Sequence, residues 1–291
     1  SLHDALPILF RTVMIECPQL RACVVHFVQH SPAQLDDENE SRVLRQVLHS
    51  DEALVHCSDG TAQVPRLEAA NLEQTPMKFD NGITYLLLGG GGGIGRHLIQ
   101  RLVDDHVSDI HVIGRSMRPT DELQAIMRSH PQVHYHCMDT SSEQGREECR
   151  AWASSARLGK LCLFNLAVDL QDKLYEDVSI EDLRRAFAAK CTAILTLCTV
   201  LAEQGLQIQW VINFSSATAL LGNGGQAAYG AASAFLDALP TQRFAAAAKV
   251  STINWGVWLD AGALRDQPQR QHILQAGGLL GHSSAQGIDY L

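Results

Sequence analysis

Several features are missing from this 291-residue chain, and each absence removes a class of function. The eight cysteines, at 17, 23, 57, 137, 149, 162, 191 and 198, include no Cys-x-x-Cys pair. Neither a metal site nor a disulfide framework has the spacing it needs, and a reducing cytoplasm fits. Some of these thiols lie within apolar runs such as Leu161-Cys162-Leu163-Phe164, where cysteine behaves as a small hydrophobe. Positive charge is also short: 23 Lys and Arg against 32 Asp and Glu give a net charge of -9, the wrong sign for holding a nucleic-acid backbone. No stretch of 18 apolar residues suggests a membrane span, and neither end carries the pattern of a secretory signal. No repeat or low-complexity tract interrupts the chain.

What is present is a 46% hydrophobic sequence, enough for one large α/β domain or one such domain with part of another. Residues 1–8 are set aside, because Ser1-Leu2-His3-Asp4-Ala5-Leu6-Pro7-Ile8 reads like the in-frame translation of a common sequencing-adapter oligonucleotide. Taken at face value they form a short apolar helix or strand leading into Leu9 and Phe10. Residues 9–75 make a first unit. It has a buried strand over Ala22–Val28, a helix through Leu44, Val47 and Leu48, and a hairpin signal at Ser58-Asp59-Gly60 between two short strands. It offers no phosphate loop or catalytic cluster, so its expected role is structural.

After a linker at 76–82 the pattern becomes strand–helix alternation. Strands are expected at Ile83–Leu88, Ile110–Ile113, Val133–Cys137, Leu161–Asn165, Trp210–Phe214 and Val250–Asn254, with helices including Arg96–Asp105, Ile180–Ala202 and Gln226–Ala247. Continuous apolar strands alternating with helices imply a doubly wound parallel sheet, the Rossmann arrangement, over residues 83–291. Its last strand is expected beyond Leu291, and residues 259–282, with four glycines, read as a lid.

The first of these strands runs into Gly89-Gly90-Gly91-Gly92-Gly93-Ile94-Gly95 and then a helix. Glycine suits a turn that visits positive φ beside a pyrophosphate, and the helix start offers N–H groups to the phosphates. Two spacings overlap here: Gly90-x-Gly92-x-x-Gly95, the general dinucleotide pattern, and Gly89-x-x-x-Gly93-x-Gly95, that of short-chain dehydrogenases. The second strand ends in Arg115-Ser116 with no carboxylate. A guanidinium there can grip a 2′-phosphate, which favours NADPH. Asp139-Thr140 follows the third strand, where such folds place an acceptor for the adenine amino group.

Ketone reduction by hydride needs a proton donor at the developing alkoxide and a hydrogen-bond donor to hold the oxygen. A tyrosine, with an ordinary pKa of about 10, needs a nearby cation to take part. Tyr229 follows Ser216 by 13 residues, which resembles the short-chain dehydrogenase pair. The usual lysine four residues on is replaced by Ser233, and no lysine occurs between Lys190 and Lys249. The chain is more similar to the ketoreductase domains of polyketide and animal-type fatty-acid synthases. In these the lysine comes from the neighbouring helix, in a segment like Ala188-Ala189-Lys190-Cys191-Thr192.

The resemblance extends to most of residues 9–291. It covers the ribose-contacting loop Asn165-Leu166-Ala167, the Gly222-x-Gly224-Gly225-Gln226 turn, and Asn254-Trp255-Gly256, whose backbone is expected against the nicotinamide. It implies reduction of a β-ketoacyl thioester delivered on the phosphopantetheine arm of an acyl carrier protein. Neighbouring megasynthase domains are the other expected partners, with no nucleic acid, membrane or metal. It also makes residues 9–75 part of a cofactor-free bracing subdomain. Asp172 matches the last position of the marker for the D-configured product. Departures are Ser233 for a usual Asn, Leu88 for Thr, Val168 for Gly and Val257 for Pro. They keep open a second reading, a catalytically silent nucleotide-binding module.

Overall fold

The computed structural model describes residues 5–28, 54–58, 61–69, 78–239, 247–262 and 281–291, with positions 41, 45, 47, 52, 244 and 265. Asp59-Gly60 and most of 263–280 lie outside the described residues, so the hairpin's tip and the body of the expected lid do too.

The chain opens with α1 (Leu6–Glu16), which begins at Ala5-Leu6-Pro7, with proline at a first-turn position where its missing N–H costs nothing. Ile8, one of the eight residues with the adapter-like sequence, is buried against Ala219 and Ala234. β1 (Val24–Val28) pairs in parallel with β2 (Leu54–Ser58), and β2 turns back antiparallel onto β3 (Thr61–Gln63). Val47, Val55 and Cys57 make a small core there with Cys23, Val25 and Val64.

The main sheet is built from β4 (Ile83–Leu88), β5 (Ile110–Gly114), β6 (Val133–Cys137), β7 (Lys160–Asn165), β8 (Ile208–Ser216) and β9 (Ala247–Trp255). Its order is β6-β5-β4-β7-β8-β9, and every pairing is parallel. Connections run outward in both directions from β4 and β7, and ligands bind above the carboxyl ends of strands at such a reversal.

Helices cover both faces. α2 (Gly93–Asp104) and α3 (Asp121–Ser129) bury Leu98, Ile99, Leu102 and Leu123 on one side. On the other, α4 (Glu143–Ser155), α5 (Ile180–Phe187), a π-helical turn (Ala188–Thr192), α6 (Ala193–Glu203) and α8 (Ala227–Asp237) surround a second core with Ile194, Leu197, Leu201 and Leu236. A short α7 (Thr218–Leu221) precedes α8. The 24-residue stretch Ile180–Glu203 is apolar enough by composition to cross a membrane, but from Cys191 onward its buried residues belong to this core. β10 (Val257–Trp258), β11 (Gly281–His282) and α9 (Ser284–Asp289) close the described chain.

Two sequence expectations need correction. The helix expected over Gln226–Ala247 ends at Asp237, and Ala247 already pairs with Ile208 in the sheet. Pro240 disfavours helix in the residue before it, and Ala247 and Ala248 carry helix propensity that strand pairing overrides. The single helix expected over Ile180–Ala202 contains the π turn, which adds a residue to one turn and rotates the helix beyond it.

Between edge strand β6 and its neighbour β5, His136 and His111 touch through Nε2 and Nδ1 at 2.8 Å, beside Trp152. Burial, with His111 and His134 close by, pushes the His136 imidazole down to about 4. Its folded value lies below the ordinary value of about 6.5, so the unfolded chain takes up the proton first. Stability contributed by neutral His136 is therefore full above about pH 6.5 and lost as pH falls toward 4. Allowing for partial exposure, the loss should be about 1–2 kcal/mol. Chemical denaturation across that range should show a shallower pH slope for His136→Gln than for the parent chain.

Candidate active site

β4 ends in the glycine turn, and the structure distinguishes the two overlapping spacings. Gly89 has φ of +76°, and a Cβ there would lie 2.6 Å from the Ala167 Cα. A Cβ at Gly93 would meet the Gly262 nitrogen at 2.9 Å, and one at Gly95 the Gly90 carbonyl oxygen at 2.1 Å. At Gly92 the nearest atom is 4.0 Å away. The positions that backbone contact forbids to any side chain are thus Gly89, Gly93 and Gly95, with Gly90 crowded mainly by the Leu87 side chain and Gly91 only in ordinary contact with Leu123. Gly95→Ala should cost roughly 2–4 kcal/mol in chemical denaturation, and Gly92→Ala under about 1 kcal/mol.

The helix start beyond the turn suits an anion. Thr120, Ser142 and Ser179 cap α3, α4 and α5 with their side chains, whereas α2 has neither a side-chain cap nor an acidic residue in its first turn. Its first N–H groups therefore remain for a ligand phosphate. Gly89, Gly92, Gly93, Ile94 and Gly95 line one cleft together with Lys190, Ser216, Tyr229, Trp255 and Gly256. The glycine cradle and the free helix start fit a dinucleotide.

Other expected cofactor residues sit outside this cleft. Arg115 is exposed and reaches Asp169 at 3.3 Å, a carboxylate it shares with Arg185 at 3.2 Å. Ser116 is exposed and accepts the Tyr135 hydroxyl on its carbonyl at 2.6 Å. Asp139 Oδ1 accepts from the backbone and hydroxyl of Ser141 at 3.0 and 2.6 Å. Thr140 is buried and donates to the Ala193 carbonyl at 3.0 Å, so its side chain pins α6 to the sheet. Asn165 is buried as well. Its amide donates to the Lys190 carbonyl and to Asn213, and its oxygen accepts the Ala167 N–H.

The chemistry-bearing side chains converge from three elements. Ser216 closes β8, Tyr229 stands in the first turn of α8, and Lys190 projects from the π turn. Only 3% of Lys190 is exposed. Its Nζ donates to the Phe214 carbonyl at 2.9 Å and lies 5.0 Å from the Tyr229 ring centroid. An ammonium so enclosed needs compensation, and the ring face and carbonyl dipole supply it. The cation lost from the α8 position of Ser233 is therefore held beside the same tyrosine from the neighbouring helix.

Ser233 is fully buried, and its hydroxyl has no partner, so it does not line the cleft. One turn on, Asp237 accepts the Asn254 amide at 2.6 Å. Burial holds the Asp237 carboxyl above the ordinary carboxylate range, against the pull of Ser215, Asn254 and Lys190. Sequence reading missed Asp237 and Asp169, because neither belongs to a spaced motif. It also missed the contact between Gln226 and Asp172, at 3.3 Å on both carboxylate oxygens.

The family model of the KR domain matches residues 83–260. Among curated relatives, a phenolphthiocerol/phthiocerol polyketide synthase subunit of Mycobacterium tuberculosis is 33% identical over 184 residues, 62% of this chain and 10% of the relative. A highly reducing polyketide synthase of Cordyceps militaris is 32% identical over 208 residues, 67% of this chain and 8% of the relative. The chain thus spans about a tenth of the length of these curated relatives.

Among solved structures, a ketoreductase domain from the bacillaene assembly line superposes with a TM-score of 0.79 at 21% identity, covering 99% of this chain and 70% of that one. The ketoreductase from the first module of phoslactomycin biosynthesis in Streptomyces sp. HK803 gives a TM-score of 0.80 at 23% identity, covering 98% and 66%. These likenesses show a shared fold. With the family match spanning most of the main sheet, the chain belongs to the KR domain family of short-chain dehydrogenase-type, nicotinamide-binding folds.

Proposed function

We propose that this chain reduces a β-ketoacyl thioester, presented on the phosphopantetheine arm of an acyl carrier protein, to the β-hydroxyacyl thioester with NADPH. Residues 83–291 carry the reaction, and residues 9–75 brace them within a megasynthase. The observation that carries this reading is the buried Lys190 ammonium 5.0 Å from the Tyr229 ring, in one cleft with Ser216 and the glycine turn.

Bound NADPH supplies the hydride; the turn at Gly89–Gly95, the start of α2 and the backbone at Trp255-Gly256 would hold it. Arg115, exposed at the end of β5, is the residue to meet a 2′-phosphate, exchanging Asp169 for a more highly charged partner. Ser216 and Tyr229 donate hydrogen bonds to the ketone oxygen, and Tyr229 passes its phenolic proton to the oxygen as charge develops. Lys190 stabilises the phenolate left behind. The cleft walls are mostly apolar, with Leu166, Val168, Leu170 and Trp258 around the polar groups, which suits an acyl chain and keeps water from the reacting carbonyl.

The test mixes the protein with a β-ketoacyl thioester and either NADPH or NADH, following nicotinamide absorbance and thioester products. Faster consumption of NADPH with formation of the hydroxyacyl thioester supports the reading. NADPH binding without consumption would instead make the chain a silent nucleotide-binding module.

A further inference from the structure

We infer that Glu16, in the first unit, is a positioning residue that sets the substrate-side wall of the cleft; this rests on the ketoreductase reading above. The Glu16 carboxylate ends α1 and divides its two oxygens between two loops distant in sequence. Oε2 accepts the Tyr175 N–H at 2.6 Å, and Oε1 accepts the Gly225 N–H at 2.8 Å. Those loops carry the two halves of the wall. One runs through Leu170 and Asp172, the other through Asn223 and Gln226, and Leu170, Asn223 and Gln226 line the cleft.

The loops also meet each other. Lys173 donates its N–H to the Gly225 carbonyl at 2.9 Å, and Gln226 reaches Asp172. Gly225 has φ of +78°, a conformation that the carboxylate locks from outside the loop. A turn and a half earlier on α1, Arg11 donates to the Leu220 carbonyl, so the segment from α7 to α8 is tied at both ends. Gly222, between those ties, packs against Arg11 and Ile15, where a Cβ would come within 3.2 Å of both side chains. None of these contacts involves the glycine turn or β5. The clamp's direct grip is therefore at Leu170, Asn223 and Gln226, beyond the Ala167 and Asp169 positions of the same loop that meet Gly89 and Arg115, and its effect is expected on the thioester more than on the cofactor. Hydrogen bonds to a charged acceptor are the strong ones, and two from one carboxylate fix a distance as well as an energy.

The experiment uses the full chain, Glu16→Gln and Glu16→Ala, with NADPH and a β-ketoacyl thioester. KM for the thioester should rise about tenfold in Glu16→Ala and less in Glu16→Gln, which keeps one accepting oxygen. kcat and NADPH affinity should stay within about twofold. An unchanged KM, or a parallel loss of NADPH affinity, overturns the assignment. Hydrogen exchange gives a readout independent of turnover: the amides of Tyr175 and Gly225 should exchange faster in Glu16→Ala, while those of β4 and α2 should not. If the parent chain consumes no NADPH, the ketoreductase reading fails, and selective exchange at those two amides still decides the clamp. Unaltered exchange there refutes it.

Discussion

Tyr229→Phe should lower NADPH-dependent reduction of a β-ketoacyl thioester by about a thousandfold, the scale of losing a positioned general acid. NADPH affinity and the thermal midpoint should stay near those of the parent chain. The reason is local. The ring stands in the first turn of α8 and half-faces the cleft, so Phe keeps its packing and its face toward the Lys190 ammonium. Only the proton is removed. Steady-state kinetics with cofactor titration measures this, and turnover within tenfold of the parent would remove Tyr229 from the chemistry.

Lys190→Met should reduce kcat/KM by about 30- to 1000-fold, corresponding to roughly 2–4 kcal/mol of barrier, as for loss of one preorganised electrostatic group. Its effect on stability should go the other way. Lys190 is 3% exposed and bonded to a neutral carbonyl, so its charge is carried in the core at a desolvation cost. Replacing a buried charge with an apolar side chain of similar shape is often neutral or stabilising. A variant that melts at or above the parent temperature and has lost its turnover separates a catalytic role from a structural one. A variant that simply unfolds would give Lys190 a structural role.

The sheet was legible because its central strands β4, β5 and β7 are short, mostly apolar runs that need burial on both faces, and such runs alternating with amphipathic segments are the mark of a parallel α/β fold. The glycine turn was legible from its place between strand and helix. The choice between its two spacings was not, since five consecutive glycines satisfy both. It depends on the nearby backbone of Ala167, Gly262 and Gly90.

The π turn at Ala188–Thr192 left no mark in the sequence, because the apolar residues on either side continue an ordinary helical stripe. Yet this turn presents Lys190 toward Tyr229. The end of α8 was misread because alanines carry the same local preference whether they continue a helix or, as at Ala247, begin an edge strand beside Ile208. Glu16 was invisible for a different reason. Its partners are backbone amides of Tyr175 and Gly225, and no side-chain pattern records them.

Whether the ammonium of the π turn and the phenol of α8 act as one unit can be measured in a single double-mutant cycle. Turnover is compared in the parent chain, Tyr229→Phe, Lys190→Met and the doubly substituted protein. If Lys190 works through Tyr229, the double variant should be no slower than Tyr229→Phe alone, since the cation then has no phenolate to stabilise. Losses that multiply would mean the two groups act separately, contradicting the account.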